Sequence, residues 1–479
     1  MKILIINPPF VPGFCRTQRW PARTRGRALR PPDWLAYCAS VLEKEGHEAK
    51  LFDFPAENLG REDLRKLIER EKPRVVVLDS TTPSISSDLQ CAQICKALSD
   101  CHVIMTGTHA SVFPEEILNH QGLGVDLIAR REYEYTIRDV VRELAKPNGD
   151  FGKVSGISFR RNGDIIHNPD RDLIENLDEL PFPAWHHLNL KNYFDATKRY
   201  PFIDIIGSRG CPHACVFCLW PQVMHGRKQR RRSIENILLE IDRDLKQWPE
   251  IRSGEFFFED DCFTLDQDYV KKFCEALRST GWGITWSANC RPDFANYSLL
   301  KKMREAGCRM LMVGYESGNP RMLKAMKKNS NLEQNSEFTR LAKKAGLKIH
   351  GCFLLGFPGE NYESIQDTLS FALKLPIDTV QFSAAVPYPG TEFYRICREL
   401  ELRLPDRWED WLDSGEQSAV VGYPGLARES ISRFVDIGLA KFYLRPGTIL
   451  RTVLDIKSFS DLSRKSRGAI NLFSYLLKT

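Results

Sequence analysis

The sequence predicts an α/β protein in which an N-terminal doubly wound Rossmann-like domain precedes a partial (β/α)6 barrel and a mainly helical C-terminal segment. Three features carry this: two series in which apolar runs alternate with amphipathic segments, a turn-rich stretch between them, and a basic, aromatic tail. The first series runs through KILIINPP (2–9), WLAYCASVLEKEG (34–46), KLFDF (50–54), REDLRKLIEREK (61–72), RVVVLDST (74–81), SDLQCAQICKALSD (87–100), HVIMTGTHA (102–110) and VDLIARREYE (125–134), ending in a helix to about Leu144. Strands that are apolar throughout fit a parallel sheet covered on both faces. Ligands bind beyond the carboxyl ends of such strands, which singles out the loops NPPFVPG, DSTTPS, TGTHAS and RREYE. None of them carries the G-x-G-x-x-G fingerprint, so a nicotinamide cofactor is disfavoured.

Residues 146–195 read as a linker with a hairpin, because the NG pair in VSGISFRRNGDIIHNPDRD separates two alternating runs and NLDELPFPAWHHL is rich in turn formers. A second series follows, with strands near FIDIIGS (202–208), EFFFED (255–260), ITWSAN (284–289), RMLMVGYES (309–317), KIHGCFLLG (348–356) and TVQFSAAVP (379–387). Helical segments such as SIENILLEIDRDLKQW and SLLKKMREAG lie between them, which makes a partial parallel barrel with its reactive groups at the carboxyl ends of the strands. The predicted division is 1–145, 146–195, 196–400 and a helical extension over 401–479.

Composition fits a folded chain: of 479 residues, 42% are hydrophobic and 27% charged. No run of uncharged apolar residues is long enough to span a bilayer, and the N-terminus lacks the features of a signal peptide, so a cytoplasmic protein is expected. The net charge of +6 is uneven, since residues 16–30 hold six arginines and no acid. Such a stretch suits nucleic acid or anionic headgroups, or a loop closing over an anionic cofactor.

Cys211, Cys215 and Cys218 stand in a C-x3-C-x2-C loop directly after the first barrel strand. Three thiolates at this spacing suit an iron–sulfur cluster or zinc, but no second C-x-x-C completes a closed zinc site. On a four-iron cluster, three cysteines leave one iron open to a small chelating ligand.

That spacing, with Phe217 before the last cysteine, resembles the signature of the radical S-adenosylmethionine superfamily. The resemblance implies a 4Fe–4S cluster on Cys211, Cys215 and Cys218 that chelates S-adenosylmethionine and cleaves it reductively to a radical that abstracts hydrogen from substrate. It also implies cofactor contacts at the strand ends: Glu259, Asp260 and Asp261 toward the methionyl amine; Ser287, Asn289 and Arg291 toward carboxylate or ribose; Glu316 and Ser317 toward ribose; Gly356, Pro358 and Gly359 toward adenine. VPYPGT (386–391) is similar to a further adenine contact, whereas Glu360 reads as a helix-start residue. Strand-end caps and turns remain alternatives at these positions.

NPPF, PPDWLAYCASVLEKEGHEAKLFD, GTHASVFPEE and ARREYEYTIRDVVREL resemble the cobalamin-binding domain that precedes many such enzymes. The D-x-H-x-x-G motif that supplies a cobalt-ligating histidine elsewhere is absent, which fits the radical branch. Asp79, Ser80, Thr81 and His109 then become candidate cobalamin contacts. FCLWPQ, FFFEDDCFT, VGYESGN and PYPGT are similar to radical proteins associated with hopanoid-lipid biosynthesis, near the anaerobic porphyrin cyclase branch.

The resemblance implies a small-molecule or lipid substrate, an electron donor such as flavodoxin or ferredoxin, and no specific nucleic-acid partner. From position 421 onward there are 10 Lys or Arg against 4 Asp or Glu, in helices with aromatics. These either pack on the parent domain or make peripheral contact at the inner membrane face. Methylation, ring rearrangement and cyclisation share the same machinery. A non-catalytic iron–sulfur redox or scaffold protein, or a nucleic-acid-modifying radical enzyme, stands as the alternative.

Overall fold

The computed structural model describes every residue except 18, 20, 121–123, 294–295, 414, 457–458 and 477–479, so Gln18 and Trp20 of the arginine stretch lie outside the described residues. The N-terminal sheet has seven strands: β1 (Lys2–Asn7), β2 (Glu48–Asp53), β3 (Val75–Ser80), β4 (His102–Gly107), β5 (Leu127–Ala129), β6 (Ile157–Arg161) and β7 (Asp164–His167). Their order is β2-β1-β3-β4-β5-β6-β7, the first five parallel. Alternation divides the apolar residues between two cores: Ile3, Ile5, Val75 and Val77 face one layer, and Leu4, Ile6, Val76 and Leu78 the other.

The expected hairpin forms, with Asn162 and Gly163 both at positive φ, as a tight hairpin turn requires. It is not confined to a linker, however. β6 pairs antiparallel with β5, so the hairpin adds two strands to the sheet and covers the edge of β5.

The second sheet contains β8 (Phe202–Ile205), β9 (Glu255–Phe258), β10 (Trp286–Cys290), β11 (Cys308–Glu316), β12 (Lys348–Leu355) and β13 (Thr379–Ala384), all parallel and neighbouring in chain order. The helix Arg428–Tyr443 packs on the β13 edge; the Tyr443 hydroxyl accepts from the Val380 N–H at 3.1 Å and donates to its carbonyl at 2.8 Å. Helices Pro446–Leu454 and Phe459–Leu476 complete the chain. Among the described residues, no helix is long and apolar enough to cross a membrane.

Every arginine of the 16–30 stretch meets a carboxylate. Arg16 pairs with Asp88 at 2.7 Å, Arg25 with Asp436 at 2.6 Å, and Arg23 and Arg27 share Glu416, while Arg19 and Arg30 share Glu259. The stretch is therefore a strap joining the N-terminal sheet, the barrel and the C-terminal helices, not a free basic surface. Burying cations is tolerable only because each is paired.

Candidate functional site

The first barrel strand delivers the cysteines. β8 runs on to Gly210, where φ is +88° and a Cβ would lie 2.2 Å from the Lys228 carbonyl oxygen, so glycine is required for the turn. Beyond it, Val216 and Phe217 pack with Met322, Met326, Leu354, Phe357 and Phe393. The Val216 N–H donates to the Met326 carbonyl at 3.2 Å and the Phe393 N–H to the Val216 carbonyl at 3.0 Å, fixing the loop to the barrel end.

Cys211 and Cys215 are buried and Cys218 half-buried. Burial, with Asp261 next, pushes the Cys211 thiol up to about 11. Burial also raises Cys218, and the neighbouring Asp261, Cys215 and Cys211 add to the rise against the opposing Arg19. Thiols so placed need a strongly positive partner to ionise, which an iron–sulfur cluster supplies.

The three acids ending β9 diverge. Glu259 accepts from Arg19 at 2.7 Å and Arg30 at 2.5 Å. Asp260 turns back to the Gly207 N–H at 3.0 Å and the Ser208 hydroxyl at 2.5 Å, and burial pushes it up to about 7. Asp261 accepts from the Gly210 N–H at 2.8 Å and meets His225 Nδ1 at 3.2 Å; burial opposes its ionisation, but His225 and Arg19 hold it below its usual value. Asp260 and Asp261 thus brace the cysteine loop, while the strap holds Glu259 through Arg19 and Arg30 and reaches Asp261 and the Asp260 carbonyl through Arg19, at 3.5 and 3.0 Å. The Arg19 guanidinium also lies 4.7 Å over the Trp220 ring.

The other strand ends sort in the same way. Ser287 donates to Glu255, and Asn289 donates to the Asp260 carbonyl at 3.3 Å. Arg291 is clamped by Asp293 and the Lys328 carbonyl, and its Nη1 points at Cys215 Sγ, 3.5 Å away. Glu316, at φ +66°, accepts from Lys328 at 2.8 Å. Ser317 is hydrogen-bonded to Thr368 at 3.0 Å. At Gly356 the close neighbour is Ile431 of the Arg428–Tyr443 helix, 2.7 Å from where a Cβ would lie; Gly359 faces open space, and Pro358 sits between them. Glu360 accepts from the Gly356 and Phe357 N–H groups ahead of the helix Tyr362–Lys374, in keeping with a helix-start residue. In VPYPGT, the buried Tyr388 hydroxyl donates to the Pro21 carbonyl at 3.0 Å, tying that turn to the strap.

The N-terminal sheet turns its carboxyl edge toward this loop. Trp34 meets Trp220 edge-on at 5.4 Å and His225 at 4.5 Å, and Arg209 pairs with Glu134 at 2.7 Å. At that edge the Ser80 hydroxyl donates to the Thr106 carbonyl at 2.6 Å, and Thr81 bonds Ser84. Asp79 accepts from the Ser80 N–H at 2.9 Å and is pushed up to about 7 by burial. His109 is buried with Nδ1 3.2 Å from the Thr82 hydroxyl, and its Nε2 has no hydrogen-bond partner. Burial pushes it down to about 3, so the ring is neutral. Phe113 and Trp408 flank it at 5.3 and 5.0 Å. An orphaned imidazole nitrogen and a largely unpaired carboxyl at a sheet edge are groups that could receive a large neutral cofactor.

Two family profiles match: the Radical SAM superfamily over residues 205–372 and the B12 binding domain over residues 28–141. An uncharacterized methyltransferase of Pyrococcus horikoshii is 31% identical over 99% of this chain and 99% of its own. This chain belongs to the cobalamin-binding radical SAM family. A cytidylyl-2-hydroxyethylphosphonate methyltransferase of Streptomyces wedmorensis is 28% identical over 82% of both chains. Relatives of the branches expected from the motifs also match at 26% identity, an anaerobic magnesium-protoporphyrin IX monomethyl ester cyclase of Rubrivivax gelatinosus (82% of this chain, 70% of its own) and a hopanoid C-3 methylase of Methylococcus capsulatus (78% and 70%). The fold matches a radical S-adenosylmethionine methyltransferase from Kitasatospora setae, solved with cobalamin and a [4Fe-4S] cluster bound, at a TM-score of 0.73 and 15% identity over 100% of both chains.

This radical SAM enzyme therefore uses a 4Fe–4S cluster, S-adenosylmethionine and cobalamin. Sequence reasoning missed Arg19, Arg30, His225, Lys328 and Trp408, all of which touch candidate residues. Arg19 and Arg30 lie 240 and 229 residues from Glu259, whereas Lys328 is only 12 from Glu316, and only the arginine excess hinted at any of them.

Proposed function

We propose that this enzyme holds its cluster on Cys211, Cys215 and Cys218, cleaves S-adenosylmethionine reductively and, with cobalamin, functionalises an unactivated carbon by methylation, ring rearrangement or cyclisation. The observation that carries this is the meeting of two strand-end edges, one bearing the cysteine loop and the other Asp79 and His109, across Trp34, Trp220 and His225. When bound, the cofactors supply one-electron chemistry and the transferable methyl group.

The chain's own residues bind, orient and exclude water. Glu259, fixed by Arg19 and Arg30, would meet the methionyl end of S-adenosylmethionine, with Asn289, Arg291 and Glu316 around it. The backbone near Gly356, Pro358 and Gly359 would line the adenine side. His109 would face cobalamin as a neutral hydrogen-bonding group beside Asp79, Ser80 and Thr81. The rings of Trp34, Trp220 and Trp408 keep solvent from the junction. An electron donor such as flavodoxin or ferredoxin would serve the cluster.

A lipid or polycyclic substrate is favoured by the surface of the last two helices. Leu450, Val453, Leu454, Phe459, Ile470 and Phe473 are exposed there, Phe459 at 85%, among Arg451, Arg464, Lys465 and Arg467. An apolar, basic surface of this kind suits peripheral contact with an anionic bilayer. The relatives' names include hopanoid and protoporphyrin substrates.

The test is anaerobic reconstitution with iron, sulfide and cobalamin, then dithionite reduction with S-adenosylmethionine and chromatography. Cysteine-dependent 5′-deoxyadenosine is expected. Its absence from a fully loaded enzyme would favour a non-catalytic iron–sulfur protein.

A further inference from the structure

The lower lumen of the barrel contains a buried lysine that none of the roles above uses. Lys198 lies in the segment leading into β8 and is fully buried, yet its Nζ has a thioether as its hydrogen-bond acceptor, Met312 Sδ at 2.9 Å. It stands 3.2 Å over the Phe257 ring centroid. The nearby carboxylate Asp195 is committed elsewhere: it accepts from the Thr197 N–H at 2.9 Å, the Thr197 hydroxyl at 2.7 Å and Arg30 at 3.1 Å. A buried ammonium facing sulfur and a ring leaves most of its hydrogen-bonding capacity unused.

Other polar atoms in the same region also lack partners. The strand register sets Met312 beside His350 and His350 beside Thr379. His350 Nδ1 is 2.8 Å from the Thr379 hydroxyl; the Gln381 side chain also interacts with the ring, and the buried Nε2 has no geometric hydrogen-bond partner among the described residues. Burial pushes His350 down to about 4, so the ring is neutral, and because the Thr379 hydroxyl can donate to Nδ1, the tautomer with its proton on Nε2 is open to it. Asp204, on β8, is fully buried with both carboxyl oxygens unpartnered, and burial pushes it up to about 7. When protonated it would donate to an anion and not repel it. Two residues further along the strands, Gly314, Cys352 and Gln381 share a level and are only half-buried, so open space lies above this floor.

We propose that the lower lumen is a substrate subsite for an anionic oxyacid group, a carboxylate or a phosphate or phosphonate, held by Lys198 Nζ and His350 Nε2. This rests on the radical SAM reading of the barrel and deepens it. The remainder of the substrate would pass Met312 and Cys352 toward the strand ends. Arg30, which bonds Glu259 at 2.5 Å, also reaches Met312 Sδ at 3.8 Å and lies 4.8 Å over the same Phe257 ring, so the anionic group sits one guanidinium away from the Glu259 end of the site. The substrate then carries an acidic group and is not a plain hydrocarbon.

Isothermal calorimetry on the anaerobic holoenzyme, loaded with cluster, cobalamin and S-adenosylmethionine, tests this with phenylphosphonate, phenylacetate and phenyltrimethylammonium as probes. At least one of the two anions should bind with one-to-one stoichiometry and the cation should not; the tighter anion identifies the oxyacid. Lys198→Met should weaken that anion at least tenfold, the loss of a buried charge-assisted hydrogen bond, and His350→Phe severalfold. Equal binding of anion and cation, or an anion affinity indifferent to Lys198→Met, would overturn the subsite. Should Lys198→Met not fold, His350→Phe and the anion-to-cation ratio of the wild type decide. The same wild-type preparation is assayed for 5′-deoxyadenosine. Deoxyadenosine without selective anion binding sinks the subsite alone; anion binding without deoxyadenosine sinks the radical reading and leaves the subsite.

Discussion

The two strand-end edges that face each other across the junction handle charge in opposite ways. On the barrel side, Glu259 is bonded by two arginines, Asp261 by His225, and Glu316 by Lys328. On the N-terminal side, Asp79 has a single backbone donor close by and His109 is neutral with one nitrogen unpartnered. The difference matches the cofactors expected at each. A cluster and a sulfonium ligand are charged, and the barrel edge holds charges in place by ion pairs before either arrives. A corrin with amide side chains asks mainly for hydrogen bonds, and the N-terminal edge keeps neutral polar groups available.

The largest effect expected is at the cysteine loop. Cys215→Ala should leave the fold intact by circular dichroism and abolish both cluster content and deoxyadenosine formation; turnover in that variant would remove the distinction between the edges altogether. Next comes the barrel edge itself. Glu259→Gln leaves Arg19 with Asp261 and Arg30 with Asp195 as their remaining carboxylates and should destabilise the protein by about 1.5–3 kcal/mol, read as a lowered Tm together with weaker S-adenosylmethionine binding.

The matching change on the other edge should have the opposite sign. The Asp79 carboxyl is raised to about 7 when folded, against about 3.9 unfolded. The folded state therefore binds the extra proton between those values, and the contribution of Asp79 to stability falls as pH rises from about 4 to about 7, then levels off. Asp79→Asn should show a shallower fall than wild type over that range and melt a few degrees higher at pH 8; a lower Tm would show that Asp79 is held by charge after all. The smallest effect concerns Arg291, whose guanidinium faces Cys215. Arg291→Gln should lower the cluster midpoint by roughly tens of millivolts, measured by potentiometry with electron paramagnetic resonance, because a cation near the cluster favours the added electron.

Most of the fold was legible because it rests on local pattern: the apolar runs Ile3–Ile6 of β1 and Val75–Leu78 of β3, the short apolar stretch of β8 broken by Asp204, and Asn162–Gly163 for the hairpin. Its docking on β5 was not legible, since strand pairing depends on an edge that the sequence does not mark. The cysteine loop could be read from spacing alone. The roles of the three acids could not, because Glu259, Asp260 and Asp261 differ only in which way the chain turns after β9. The six arginines were visible as charge, but their acceptors lie 72 residues away for Arg16 and 411 for Arg25, so the strap emerges only in three dimensions. Lys198 gave no signal in sequence, being one of two adjacent basic residues in KRY.

The most direct test of the account is anomalous diffraction at the iron and cobalt edges from anaerobic crystals of the loaded enzyme. Iron is predicted at Cys211, Cys215 and Cys218, with cobalt facing it beside Asp79 and His109. Iron away from those sulfurs, or cobalt bound elsewhere than the N-terminal strand-end edge, would contradict it.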